Sequence, residues 1–206
     1  MEYLDYYDET GKLLGKETRE VIHQKGLWHQ TVHCWLYDNF GNIYFQLRND
    51  HDGIPNKMYT TASGHVQASE SIKDAFKREV SEEIGIKVDI ENCKLVETTV
   101  WKMDKKIKDD FFRDRAFANI YVGNVGSTCP KFSFTDGEAQ GIIKANAKDV
   151  LNLLRTERGS ITATKIGADN IPHPITITMD DFLINAHEIG IIKYGRVLQF
   201  IINETK

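Results

Sequence analysis

The stretch GHVQASESIKDAFKREVSEEIGI, residues 64–86, decides how the rest of the chain is read. Ser69 or Ser71 opens a helix there, and Gly85 ends it where a left-handed residue commonly closes helices. At roughly 100° per residue, Ile72, Phe76, Val80 and Ile84 stack into one core stripe with Ala75 at its edge. Lys73, Lys77 and Ser81 run to the solvent side. Glu79 and Glu83 lie one turn apart at the rim of the stripe, and Glu82 sits just outside them. Like charges at this spacing repel by a few tenths of a kcal/mol. A carboxylate drawn toward a core costs far more unless something positive meets it. Taken alone, the glutamates also fit a solvated acidic face. A hard divalent cation with oxygen ligands, such as Mg²⁺, answers the convergence directly.

The chain around this helix has 206 residues, 41% hydrophobic and 27% charged, which suits a single globular domain with a sizeable core. A net charge of −4 gives no basic footprint, so a nucleic acid polymer is not an expected partner. No apolar run approaches a membrane span, and the acidic start MEYLDYYDETG has no signal-peptide pattern. Cys34, Cys93 and Cys129 form no CxxC pair, so zinc-finger and thioredoxin readings have no support and a reduced, cytoplasmic setting is expected.

Outward from the helix the pattern is mostly strands. Residues 3–7 and 12–17 flank the turn signal Asp8-Glu9-Thr10-Gly11 and predict a hairpin. A short helix is expected over 18–24. TVHCWLYD (31–38) and NIYFQLR (42–48) alternate around Asn39-Phe40-Gly41 as a second hairpin, with Val32, Cys34 and Leu36 on one face and His33, Trp35 and Tyr37 on the other. Residues 49–63 read as a loop ending in an extended piece. Strands are expected at 86–90, 95–101 and 116–123, with a charged loop over 102–114 and a helix over 146–156. Beyond 157, strands at 160–166, 175–178 and 196–202 and a helix at 179–189 complete the reading. The order predicts an α+β fold, an α/β/α sandwich around a mixed sheet. One domain is expected over 1–206: a core of about 28–156, an N-terminal hairpin region 1–27 and a C-terminal extension 157–206.

Five residues separate Gly64 from Glu70, and seven separate Glu70 from Arg78-Glu79-Val80-Ser81-Glu82-Glu83-Ile84-Gly85-Ile86. This spacing matches the full Nudix box, and the chain resembles the Nudix hydrolase superfamily over roughly 28–156. The resemblance implies Mg²⁺-dependent hydrolysis of a diphosphate in a nucleoside diphosphate-X type small molecule, with Mn²⁺ as a substitute ion. It assigns Glu79, Glu82 and Glu83 to the metal, with Gly64 letting the loop backbone come close. It gives Arg78 the task of tying Glu70 to the helix, and Gly85 that of ending it. Glu83 is the expected base, since it lies deepest toward the stripe. Arg48, at the end of a strand, is the expected phosphate contact.

A second likeness narrows the branch. HQKGLWHQTVHCWLYD (23–38) is similar to the entry of isopentenyl-diphosphate isomerase, with His23 and His29 as its early histidine pair and His65 as its third. That implies a second metal site from His29, His65, Asp114 and a late carboxylate, Glu138. The isomerase needs a cysteine where this chain has Ser63 and a glutamate where it has Ala116, so the hydrolytic relatives fit better. Isomerase-like activity and a non-catalytic ligand-binding module are the alternatives. His33, Trp28 and Cys34 read as packed residues, and Lys102, Lys105, Lys106 and Lys108 as a solvated basic loop. A homodimer is the expected assembly.

Overall fold

The computed structural model describes residues 1–49, 55–107, 110–183 and 187–206; the side chains of 107, 110 and 187–193 are not described. His51 and Lys108, parts of the expected loops, and residues 184–186 of the expected helix 179–189 therefore lie outside the described residues.

Strands β1 (Tyr3–Tyr7) and β2 (Leu13–Thr18) form the N-terminal hairpin, with Tyr3 opposite Thr18. Helix α1 (Arg19–Lys25) follows directly, its first turn capped by the Thr18 hydroxyl and its end closed by Gly26 at φ 67°. Strands β3 (Trp28–Tyr37) and β4 (Asn42–Arg48) pair only near their turn, at Leu36–Tyr44 and Tyr37–Ile43. Further out they splay apart. Strand β5 (Met58–Tyr59) pairs with β4 in that gap, and β6 (Ala62–His65) pairs with β3. The splay matters for the site, because it brings the Ser63–His65 backbone up against the helix that follows.

Helix α2 (Ile72–Ile84) is capped by Ser71, whose hydroxyl accepts from the Asp74 N–H, and closed by Gly85 at φ 72°. Its buried face carries Ala75, Phe76, Val80 and Ile84, packed on Val32, Cys34, Leu36 and Tyr44 of the sheet. Phe76, Val80 and Ile84 each stabilise the fold by about 1.5–3 kcal/mol. Strands β7 (Cys93–Ile107) and β8 (Asp110–Asn124) form a long antiparallel pair, and β8 runs parallel to β3. Strand β9 (Ala139–Asn146) lies on the other side of β4. Helix α3 (Ala147–Thr156), strands β10 (Ile161–Ile166) and β11 (Pro172–Ile177), and helix α4 (His187–Glu204) complete the chain. The sheet order is β11-β10-β9-β4-β3-β1-β2, with β8 and β7 joined at β3.

The sheet is mixed and covered on both faces, α2 on one and α3 with α4 on the other. The alternation read in β3 decides the split: Val32, Cys34 and Leu36 meet α2, whereas Trp35 and Tyr37 join the core beneath α3 and α4.

Four expectations fail locally. In the expected helix 179–189, Met179–Asp181 form only a 3-10 turn and Phe182 is extended, bridging to Met58. Residues 86–89 are irregular and lead into a 3-10 turn at Ile90–Asn92, where Asp89 caps the turn instead of continuing a strand. The charged stretch from Lys102 is part of the ribbon, because cross-strand pairing with β8 continues as far as Ile107–Asp110. Residues 196–202 are helical: Val197, Leu198, Ile201 and Ile202 are buried while Arg196, Gln199 and Asn203 are exposed, a helical spacing that β-branched residues disguised as a strand.

Candidate active site

Glu79 and Glu83 sit on the buried side of α2, 8% and 2% exposed, while the Glu82 side chain is half exposed. Gly64 explains how Glu79 fits. A Cβ on residue 64 would lie 2.1 Å from Glu79 Oε1, so only glycine lets the β6 backbone lie against that carboxylate. Glu83 accepts the Ser63 N–H at 3.0 Å and a short bond from the Gln46 side-chain amide.

Arg78 organises the edge of this cluster. Its guanidinium donates to both Glu70 oxygens at 2.9 Å, to Glu79 Oε1 at 2.7 Å, to Glu82 Oε2 at 3.1 Å and to the His65 carbonyl at 2.9 Å. One planar fork thereby ties the loop, the strand end and the helix together, which a lysine cannot do.

Arg78 does not neutralise the cluster. Burial pushes the Glu79 carboxyl up to about 7, with Arg78 only partly offsetting it, and pushes Glu83 well above the usual carboxylate range. The charge of Glu138, just before β9, raises both further. Glu138 thus acts on the glutamates of α2. A site with two buried carboxyl groups and excess negative charge suits a divalent cation, whose charge would return both groups to the ionised state.

Arg48 ends β4 beside this site, its guanidinium carbon 5.9 Å from the Tyr59 ring centre. Burial raises Tyr59 to about 12, so its phenol stays protonated, and Glu83 and Asp114 are both close enough to add to that shift.

A second cluster lies next to the first, on the other side of the Gly64-His65 backbone. His23, His29 and His65 each offer a ring nitrogen within 4.8 Å of the others. Their ring centres stand 5.1–5.2 Å apart, and Phe112 of β8 stacks on His23 at 4.4 Å. His23 Nδ1 faces the Arg19 carbonyl at 2.8 Å and His29 Nδ1 faces the Leu27 carbonyl at 3.2 Å. Those contacts place the proton on Nδ1 and leave Nε2 with its lone pair. His29 Nε2 and Asp114 Oδ1 are buried, 3.5 Å apart, and have no hydrogen-bond partner among the described residues. Burial holds His23 and His65 below the usual histidine range and His29 down to about 4, so the rings are neutral. Neutral imidazoles beside an orphaned carboxylate oxygen are groups that could hold a metal ion.

The remaining residues fall into place around these clusters. Ala116 is buried on β8 opposite His29, where a methyl group offers no ligand. His33 packs edge-on to Tyr59, Trp28 stacks on Phe117, and Cys34 is buried with its thiol pushed up by burial. Gln46 was missed by sequence reasoning. Its signal was an amide between the apolar Phe45 and Leu47 of NIYFQLR, at a position that proves buried.

Similarity to known proteins bears on the family and the fold. The family description "NUDIX domain" matches residues 27–150. An uncharacterized Nudix hydrolase of Clostridium acetobutylicum is 31% identical over 157 residues, 74% of each chain. The uncharacterized Nudix hydrolase YfcD of Escherichia coli K12 is 31% identical over 86 residues, which cover 41% of this chain and 48% of that one. Among solved structures, DR0079 from Deinococcus radiodurans shares the fold with a TM-score of 0.52 at 17% identity, covering 77% of this chain and 91% of that one.

Proposed function

The chain belongs to the Nudix family of pyrophosphohydrolases, and from that premise we propose that it hydrolyses the diphosphate linkage of a nucleoside diphosphate-X type small molecule with Mg²⁺, Mn²⁺ serving as a substitute. The observation that carries this reading is the pair of buried carboxyl groups, Glu79 and Glu83, raised by burial on one side of α2, with Gly64 leaving the β6 backbone against Glu79. Glu79, Glu82 and Glu83, with the backbone at Gly64, would hold the ion. When bound, it supplies charge neutralisation for the phosphates and a more acidic water.

The protein's own groups do the rest. Arg78 fixes Glu79 and Glu82 in one rigid edge through its fork, and Glu70 anchors that fork. Glu83, held by the Ser63 N–H and Gln46, takes the proton of the attacking water as general base. Arg48, beside the protonated Tyr59, meets the phosphate oxygens. Glu138 adds a further negative charge to the cluster. Isomerisation would need acid–base groups at 63 and 116, where this chain has a serine hydroxyl and a methyl group.

His23, His29, His65 and Asp114 form a second metal centre in this reading. Three neutral imidazoles with one carboxylate suit a borderline ion such as Mn²⁺, Co²⁺ or Zn²⁺ better than Mg²⁺.

The test is a panel of nucleoside di- and triphosphates, nucleotide sugars, dinucleoside polyphosphates, coenzymes and prenyl diphosphates, assayed with Mg²⁺. Metal-dependent turnover of at least one compound, lost in Glu83→Gln, is expected. Absence of turnover across the panel, or turnover unchanged in the variant, would overturn the reading.

A further inference from the structure

The histidine centre has one feature that its neighbours in sequence do not explain. For His23 and His29, the ring nitrogen turned away from the cluster is held by a backbone carbonyl of the same local segment. For His65 the group near Nδ1 is a side chain from the far end of the chain: Glu2 Oε1, at 3.6 Å.

Glu2 is held where it is by several independent contacts. Its other oxygen lies 3.4 Å from the Arg19 guanidinium, and its carbonyl accepts the Arg19 N–H at 3.0 Å. The strand that follows is fastened to the loop just after His65. Leu4 is fully buried and bridges to Gln67, the Tyr3 carbonyl accepts the Ala68 N–H at 2.8 Å, and the Asp5 carboxylate accepts the Ser69 N–H at 2.9 Å. Strand β1 therefore runs alongside residues 67–69, between His65 and Glu70, the partner of Arg78. It lies outside the part of the chain that the family description matches.

A carboxylate behind a metal-bound imidazole fixes the ring's tautomer and orientation and makes its other nitrogen a stronger ligand. We propose that Glu2 is the positioning residue of the histidine metal centre, its carboxylate accepting the Nδ1–H of His65 so that Nε2 of His65 faces the ion beside His23, His29 and Asp114. This rests on the second-centre reading given above. The N-terminal hairpin is then a strap that completes a site built otherwise from α1, β3, β6 and β8.

Co²⁺ titration of the full chain, followed by visible absorption and by proton NMR of the paramagnetically shifted exchangeable N–H signals, tests it. The variants are Glu2→Gln, Glu2→Asp and His29→Ala. Expected are one Co²⁺ taken up with nitrogen-type visible bands, three shifted N–H signals, and loss of both in His29→Ala. Glu2→Gln should weaken Co²⁺ binding about 10- to 100-fold and speed solvent exchange of one N–H signal only, with Glu2→Asp partly restoring both. Unfolding of the metal-free variants should match wild type, because an exposed pair such as Glu2–Arg19 contributes little. If His29→Ala abolishes binding but Glu2→Gln binds like wild type with all three signals unchanged, Glu2 has no such role. If the wild type takes up no His29-dependent Co²⁺, the second centre itself is wrong and the role of Glu2 falls with it.

Discussion

Glu79→Gln separates the cost of a buried carboxylate from its use. The Glu79 carboxyl group lies against Gly64 and is raised by burial to about 7, from an ordinary value of 4.5. Between those values the metal-free folded chain keeps a proton that the unfolded chain has lost. Stability therefore falls as pH rises through this window and levels off above the folded value. At about 1.36 kcal/mol per unit, the ionised side chain costs the metal-free fold about 3 kcal/mol near pH 8 and under about 1 kcal/mol near pH 5. Glutamine keeps the shape, can still accept from Arg78, and carries no charge. In chelator, the variant should thus gain on wild type by about 2–3 kcal/mol more near pH 8 than near pH 5. Urea unfolding followed by circular dichroism at the two pH values measures this. Millimolar Mg²⁺ should then stabilise the wild type far more than the variant. A stability gap that is the same at both pH values, or an equal response to Mg²⁺, would refute the argument that Glu79 is a strained ligand waiting for a cation.

Three other outcomes follow from the same geometry. Gly64→Ala puts a methyl carbon 2.1 Å from Glu79 Oε1, so that carboxylate must swing away; kcat/KM should drop by about 100-fold or more while circular dichroism is unchanged. Arg78→Lys keeps the charge but loses the fork to Glu70, Glu79 and the His65 carbonyl; steady-state kinetics should show kcat reduced by about 10- to 100-fold, since the ligand edge is no longer held in register. Mg²⁺ binding near pH 6 should release protons, because a largely protonated Glu79 and the raised Glu83 must both ionise; calorimetry in buffers of different ionisation enthalpy reads this directly, and the release should shrink as pH rises past the Glu79 value, with Glu79→Gln removing its share.

What the sequence made legible was local. The stripe of Ile72, Phe76, Val80 and Ile84, the Ser71 cap and the Gly85 stop specify α2 within a single segment, and the alternation in β3 assigns its faces to the two cores. The glutamates and Arg78 could be named because their spacing, together with Gly64 and Glu70, resembles the Nudix box; the helix alone also fits a solvated acidic face. Contacts made across the chain were not readable. Gln46 reaches Glu83 only because β3 and β4 splay, and Glu2 reaches His65 only because β1 docks on the loop at 67–69. The misread elements have similar causes. A β-branched run hid the helical spacing of 197–202, and the charges of the 102–107 stretch concealed a strand that pairs with β8.

The central claim is that water attacks phosphorus at the glutamate cluster under metal control. It is tested most directly by running the reaction of the best diphosphate substrate in ¹⁸O-labelled water and weighing the phosphate products. The account predicts one labelled oxygen in one phosphate product with Mg²⁺, and none in the presence of chelator or in Glu83→Gln. Label found outside phosphate, or incorporation at the wild-type rate in Glu83→Gln, would contradict it.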